Sequence, residues 1–211
     1  MTTFPGSPKT LRGALVSIDA ATLAPTVIAF QYNPHTLSRR FEIKGATGGP
    51  EVGQLTGPPA ETVSVELVLD ATDARADGGA PHGVAPLLAA LQGLVTPPAA
   101  TAVANAALAA SGRIEILPPP APVTLFVWGE RRVVPVALTE LTITEEAHDG
   151  DLDPTFARVT LGMRVLSHAD LPPQHPAHAL AVAGQVGRER MARTVTSSAL
   201  DGVLGATVRL L

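Results

Sequence analysis

Apolar residues recur with a period of two in several short stretches, and this pattern predicts a protein built mainly from β-strands. The clearest stretch is TVSVELVLD at 62–70, where polar residues alternate with Val63, Val65, Leu67 and Leu69. That alternation is typical of a strand with one buried face. Similar patterns predict strands at 11–18, 26–32, 113–117, 123–129 and 156–166, and one long strand or two at 131–147 with a break near Pro135.

Two of these strands carry further information about burial. In VTLFVWG at 123–129, both faces are apolar, with Phe126 and Trp128 on one face, so both are expected to be covered. In the last strand, alternate residues are expected to point inward, namely Val159, Leu161, Met163 and Val165.

A helical period replaces the period of two after residue 83. One apolar stripe predicts an amphipathic helix, and it is formed by Val84, Leu87, Leu88, Leu91, Leu94 and Val95. Residues 98–111 have high helix propensity but few large side chains, so they predict either a weak second helix or a loop. Residues 177–195 predict a further helix, whereas the Gly- and Pro-rich residues 42–60 and the polar residues 71–83 predict loops.

These elements predict an α+β protein that is mainly β, with an inserted amphipathic helix and a C-terminal tail. The hairpins favour an antiparallel β-sandwich or barrel with the helix packed against it. We place the β domain at 1–169, and a Pro-rich linker with a helical and apolar tail at 170–211. The end of that tail is too short to fold alone, so it is expected to need a partner surface.

Composition and charge narrow the classes of function. The net charge is −4 and no basic stripe is present, which argues against nucleic acid as a partner. The chain has no cysteine, which excludes disulfide scaffolds, thiol catalysis and thiolate zinc sites. The stretch MTTFPGSPKTLRG lacks the apolar core of a secretory signal, and no run of about 18 apolar residues predicts membrane insertion. We therefore expect assembly in the cytoplasm.

The sequence carries no strong motif for nucleotide binding, hydrolysis or metal binding. No glycine motif for nucleotides and no GxSxG nucleophile motif is present. His175 and His178 form one HxxH pattern in a Pro-rich stretch and are interpreted as solvent-exposed. Asp149, Asp151 and Asp153 imitate the start of a calcium loop but lack its later ligands, so they predict a polar hairpin turn. The predictions are no catalytic residue, no metal, no cofactor and no enzymatic activity.

The segment FQYNPHTLSRRF at 30–41 gathers three aromatic residues around one Asn-Pro step in a chain that is only 3% aromatic. Pro34 cannot donate to a β-ladder and biases Asn33 toward an extended conformation, so the strand is expected to end there. Asn33 is expected to bond to its own backbone and shape the turn.

The aromatic pair and the basic pair of this segment each allow two structural roles. Phe30 and Tyr32 would share one strand face and anchor it either in the core, which is favoured, or in an interface. Arg39 and Arg40 are either solvated charges or partners of acidic groups on a neighbouring subunit.

Three sequence blocks, in this order, resemble a known family. The first is an apolar strand running into F-Q-Y-N-P-x-x-L-S-R at 30–39. The second is the helix GVAPLLAALQGLV with the later PPPAPVTLFVWG, and the third is LTITEEAHDGDLDPTFARVTLGMRVL. Over residues 11–167 the order resembles the tube initiators, or tube-to-baseplate adaptors, of contractile injection systems, which are phage tail-like particles.

The resemblance implies a tail-tube-like β domain with a structural role. It implies a homo-oligomeric ring, hexameric in expectation, that joins the inner tube protein to the spike or hub and to other baseplate proteins. We place candidate ring contacts in the two most specific blocks, at Phe30, Tyr32, Asn33, Pro34, Arg39, Arg40 and Trp128.

The chain departs from the family pattern in two places. Many members carry a C-terminal LysM module, but no LysM signature follows residue 170, so the tail is expected to dock on a neighbour instead. Phe156 stands where the family often has a basic residue. Three other functions stay open: a tube-capping protein of the same particle, a soluble β-domain that binds a small ligand or peptide under loop 42–60, and a hydrolase with an unrecognised site.

Overall fold

The structure is a computed structural model that describes residues 11–18, 25–43, 45, 55–111 and 122–194. The strands in these ranges are β1 (Ala14–Ile18), β2 (Pro25–Ala29), β3 (Leu37–Glu42), β4 (Ala60–Asp70), β5 (Val123–Val127), β6 (Val133–His148) and β7 (Pro154–Val165). The helices are α1 (Thr72–Ala76), α2 (Ala85–Gly93), α3 (Ala99–Ala110) and α4 (Pro176–Ala192). The predicted strand at 113–117 and the apolar stretch at 197–211 lie outside the described residues.

All seven strands form one antiparallel sheet in the order β2-β1-β5-β6-β7-β4-β3. The predicted mainly β, α+β class is therefore confirmed. β2 and β3 follow each other in the chain but occupy opposite edges of the sheet, so their connection passes from one edge to the other. Within the described ranges these two strands do not pair, and the sheet is open.

One face of the sheet and α2 enclose the hydrophobic core. The period-two pattern is confirmed for β4 and β7, because the residues that were predicted to point inward are all buried: Val63, Val65, Leu67, Leu69, Val159, Leu161, Met163 and Val165. The strand register places these residues side by side, with Val65 opposite Leu161. The predicted helical stripe is confirmed in its centre, where Leu88 and Leu91 are buried, but Val95 is 50% exposed because α2 ends at Gly93.

Three aromatic rings form a cluster at the end of β2 and β5. Phe30 lies 6.4 Å from Phe126 and 6.5 Å from Trp128 between ring centroids, and Phe126 stacks on Trp128 at 5.9 Å. The backbone of Gly13 passes directly over these rings, since a Cβ atom there would come within 2.7 Å of Phe30 and 2.8 Å of Trp128. Glycine is thus required at position 13 for the cluster to close.

The predicted break near Pro135 is absent, because β6 continues through it from Val133 to His148. Pro135 lies opposite Leu166, one residue beyond the end of β7, and its carbonyl accepts the Leu166 N–H at 2.8 Å. Proline has no N–H to donate. At position 135 this costs little, because the missing N–H would point toward the end of β7, where the ladder between β6 and β7 is already ending.

Other elements differ from the prediction for local reasons. β3 was not predicted, because all of its residues except Leu37 are exposed and its sequence therefore has no period of two. Residues 99–110 form the helix α3, although none of its residues is buried, which fits its alanine-rich sequence. The predicted loop at 71–83 contains the short helix α1.

The helix α4 packs against the start of β6. Ala177 and Ala181 are buried, and Gly184 lies against Val134. The helix begins at Pro176, and His175 caps it by accepting the Ala177 N–H at its Nδ1 atom, at 3.2 Å. The helix predicted beyond residue 169 thus contacts the sheet.

Two glycines of the helical region give a matched test of the fold. Gly83 has φ +56°, and a Cβ atom there would lie 2.1 Å from the carbonyl oxygen of Pro154, whereas a Cβ at Gly93 would meet nothing within 4 Å. We expect Gly83→Ala to lower the free energy of unfolding by at least about 2 kcal/mol, since the left-handed backbone alone costs roughly 1–3 kcal/mol. Gly93→Ala is expected to be neutral or to stabilise by up to about 1 kcal/mol. Urea unfolding of both variants measures this, and equal effects would contradict the packing described.

Candidate functional site

Residues 30–36 connect β2 to β3, which are the two opposite edges of the open sheet, and are called the bridging segment. It begins at Phe30, whose N–H donates to the carbonyl of Gly13 at 2.8 Å. Two side-chain amides then attach it to distant parts of the backbone, one from Gln31 and one from Asn33.

Gln31 attaches the bridging segment to β4. Its Nε2 donates to the carbonyl of Asp70 at 2.5 Å, and its Oε1 accepts the N–H of Asp70 at 2.8 Å. Asp70 is the last residue of β4, and β3 pairs with β4 only between Ala60 and Val65. The Gln31 amide therefore takes the place of a strand partner at the unpaired end of β4.

This contact requires a strongly curved sheet. β2 and β4 are separated by five interstrand steps, which would put them about 24 Å apart in a flat sheet at about 4.8 Å per step. Gln31 lies two residues beyond the end of β2, and two extended residues span only about 7 Å. The hydrogen bonds to Asp70 form only if the sheet bends until the end of β2 approaches the end of β4.

Asn33 attaches the bridging segment to the chain before β1. Its Oδ1 accepts the N–H of Gly13 at 2.8 Å, and its Nδ2 donates to the carbonyl of Leu11 at 2.8 Å. The expectation that Asn33 would bond to its own backbone is wrong, because the carbonyl and N–H before β1 are within its reach. Both amides satisfy backbone groups that no strand satisfies.

The structure separates the aromatic residues that were predicted to share a face. Phe30 is buried in the core, and Tyr32 is 50% exposed. The prediction of a shared strand face is wrong, because β2 ends at Ala29 and the chain bends at residues 31 and 32. Pro34 is half-buried in the bridging segment, and Trp128 packs partly buried against the core.

The two arginines of β3 also differ from each other. Arg39 donates to Glu61 of its own chain, with 2.6 Å between Nε and Oε1, and its guanidinium lies 4.9 Å from the centre of the Phe41 ring. Its acidic partner is therefore within the subunit. Arg40 is exposed.

Gln31 and Gly13 were not among the residues singled out from the sequence. A signal for Gln31 exists, since two amide side chains stand two positions apart, at 31 and 33, with the exposed Tyr32 between them. The sequence does not reveal that their partners lie 39 and about 20 residues away.

Both edge strands are exposed to an unusual degree. In β3, Ser38 to Glu42 are exposed on both faces, and Phe41 is 45% exposed. In β2, Ile28 alone is buried, and Val27 is 62% exposed. No strand in the described part of the chain pairs with the outer side of either edge. These edges are candidate contact surfaces, since unpaired N–H and C=O groups bind other strands.

The acidic residues between β6 and β7 form the predicted hairpin turn. The Oδ1 of Asp149 accepts the N–H groups of Asp151 and Asp153, each at 2.9 Å, and its Oδ2 lies 2.5 Å from Nη1 of Arg75. The hydrogen bond from the Asp153 backbone is the largest of the effects that lower the pKa of Asp149.

The part of the chain that the structure describes contains no group of three or more His, Cys, Asp or Glu side chains placed to hold a metal ion. None of its helices has both the length and the apolar character needed to cross a membrane.

The two amide attachments can be tested by isosteric substitution. Gln31→Glu and Asn33→Asp each remove one donor and leave a backbone carbonyl without its partner. Gln31→Glu is expected to lower the free energy of unfolding by about 1–3 kcal/mol because its bond is partly buried, and Asn33→Asp by about 0.5–1.5 kcal/mol because its bond to Leu11 is exposed to water. Gln185→Glu on α4 is the control, because the Gln185 amide donates to the side chain of Glu189 and not to a backbone carbonyl, and we expect it to cost less than about 0.5 kcal/mol. Chemical denaturation at neutral pH measures all three. Losses at Gln31 and Asn33 no larger than the control would show that the amides do not hold the segment.

Comparison with known proteins does not assign this chain to a family. No protein-family model matches this chain, and no curated protein is significantly similar to it. The function is therefore inferred from the contacts, exposed edges and charges described above and from the resemblance of the sequence blocks.

Proposed function

We propose that this protein is a structural component of a contractile injection system, a ring that joins the inner tube to the baseplate hub or spike. The observation that supports this most is the pair of free edges, β2 and β3, on one curved sheet. The hexameric number, the tail-tube-like barrel and the tube and hub partners come from the family resemblance. The protein supplies no chemistry in this proposal.

The physical argument begins with the cost of an exposed edge. Natural monomeric proteins protect their edges with charges, proline, bulges or covering loops. β2 has the sequence PTVIA, which carries one proline and no charge, and it exposes Val27. An edge of this kind is stabilised when a strand of another copy pairs with it.

The two edges differ, so a contact between them is head to tail. When β2 of one copy meets β3 of the next, each copy still offers one free edge, and the assembly closes into a ring if the rotation per subunit fits. Curvature fixed by Gln31 and Asn33 sets that rotation. A protein that caps the tube would use the same edges, and binding to purified tube or hub protein distinguishes the two positions.

A second candidate function is supported by one groove. A groove of about 410 Å³ lies between α4 and the stretch 55–59, and its apolar lining includes Phe41, Leu55 and Val165. Such a groove would suit a small ligand or a peptide. Saturable binding by a chain that stays monomeric at all concentrations would favour this function over the ring.

The edge contact predicts that a new charge at an exposed apolar position of either edge prevents assembly, beyond the charges that β3 already carries at Arg39, Arg40 and Glu42. Val27→Lys on β2 and Phe41→Lys on β3 are each expected to shift the protein from a closed oligomer to the monomer, because a lysine at a pairing edge must be desolvated when strands meet. Native mass spectrometry measures the shift, and circular dichroism checks that the monomer stays folded.

Val103→Lys is the matched control. Val103 is 70% exposed on α3 and belongs to neither edge strand, so this variant is expected to assemble as the unmodified chain does. A monomeric unmodified chain, or edge variants that assemble normally, would contradict the proposal.

A further inference from the structure

Four guanidinium groups surround one groove at the end of the sheet where β6 begins. Arg39, Arg131, Arg132 and Arg188 line this groove of about 270 Å³, which we call the arginine groove, and Glu61 is the one acidic residue in its lining. Glu61 is already paired with Arg39. In the described part of the chain, Arg131, Arg132 and Arg188 have no carboxylate within ion-pair distance. The groove thus holds an excess of positive charge on a protein whose net charge is −4.

The arginine groove also has an apolar floor. Trp128 and Met191 line it, and Met191 is 47% exposed. Burial and the nearby Arg39 lower the pKa of Arg132, so the positive charges are crowded and incompletely neutralised. A ligand that combines negative charge with an apolar group would match both parts of the groove.

The other end of the same strands offers such a group. The turn between β6 and β7, residues 149–153, is called the acidic turn and carries three aspartates. Asp149 is occupied in holding the turn, but Asp151 is exposed. Between Asp151 and Asp153 stands Leu152, which is 79% exposed and has φ +66°.

Leucine is an unfavourable residue at that position for the isolated molecule. A left-handed backbone suits glycine or asparagine, and the exposed side chain gains no burial to offset the strain. The hydrogen bonds of Asp149 nevertheless hold the turn so that an apolar tip projects between carboxylates. The tip therefore has the shape and charge of a ligand for a basic groove with an apolar floor.

The acidic turn cannot reach the arginine groove of its own molecule. The groove lies near Val134 and the turn follows His148, so they are at opposite ends of β6, separated by about 46 Å of strand at about 3.3 Å per residue. A complementary pair at opposite ends of one molecule makes a head-to-tail contact between two copies.

We propose that Leu152 and the acidic turn dock into the arginine groove of a second copy of this chain. The contact runs along the strand direction. Of the edge strands it involves only the side chain of Arg39 on β3, which is already paired with Glu61, and it uses no unpaired backbone group of either edge, so it does not require the ring proposed above. Leu152 would rest on Trp128 and Met191, and the exposed Asp151 would face the arginines. Asp153, which lies 3.3 Å from His82 of its own chain, would add negative charge beside it. Because the contact is small and electrostatic, it is expected to be weak in isolation and to weaken with added salt.

The absence of cysteine from the chain makes a cross-linking test unambiguous. Two single-cysteine proteins, Gly150→Cys in the acidic turn and Gly187→Cys in the lining of the groove, are prepared in the Val27→Lys background, which removes the edge contact. A Cβ atom at either glycine meets nothing within 4 Å, and Leu152 and Met191 stay in place. They carry tags of different size, are mixed, and are placed in a glutathione redox buffer. We expect the mixed disulfide to form at least about tenfold faster than with a Val103→Cys partner, because a specific contact raises the local thiol concentration toward the millimolar range.

Charge reversal then tests the chemistry of the contact. Arg131→Glu with Arg188→Glu, added to the Gly187→Cys protein, is expected to reduce the mixed disulfide to the Val103→Cys level. Arg190→Glu with Arg193→Glu changes the charge equally on exposed residues that do not line the groove, and should leave it unchanged. A mixed disulfide at the control rate, or one insensitive to reversal of Arg131 and Arg188, would overturn the proposal. Neither result bears on whether the edges form a ring.

Discussion

The structure depends on two side-chain amides that hold the open side of a curved sheet. Gln31 completes the unpaired end of β4 and Asn33 completes the chain before β1, each through two hydrogen bonds. Because these bonds join regions that a flat sheet would keep far apart, they fix its curvature. That curvature wraps the inner faces of the strands around α2, and Phe30, at the start of the bridging segment, packs on Phe126 and Trp128 over the backbone of Gly13.

The same arrangement explains why the edges stay free. The bridging segment uses side chains, not a β-ladder, to cross from β2 to β4, so the backbone of the two edge strands is not consumed in closing the sheet. A fully closed barrel has no edges to offer to another copy. An open sheet with fixed curvature keeps two edges at a fixed angle, and fixed angles between head-to-tail contacts are what a closed ring requires. The acidic turn and the arginine groove would add contacts in a second direction.

Sequence reasoning succeeded where burial is regular and failed where single contacts decide. β4, β7 and α2 were predictable because every second or every third to fourth residue is buried. β3 was not, since its residues are exposed on both faces and carry no period. The end of β2 was misplaced because proline at 34 marks a stop, whereas the bend begins at Gln31. The role of Gln31 was missed because its partner, Asp70, is 39 residues away, and no local pattern records such a distance.

Amide hydrogen exchange of the edge strands tests the central claim most directly. Residues 25–29 and 37–42 are compared in dilute and concentrated solutions of the full chain, with β7 as the internal reference. The account predicts that both edges exchange rapidly when dilute and become protected toward the level of β7 when the protein assembles, because their N–H groups then enter ladders between copies. Edges that exchange equally fast in both states, while the protein is demonstrably oligomeric, would contradict assembly through β2 and β3.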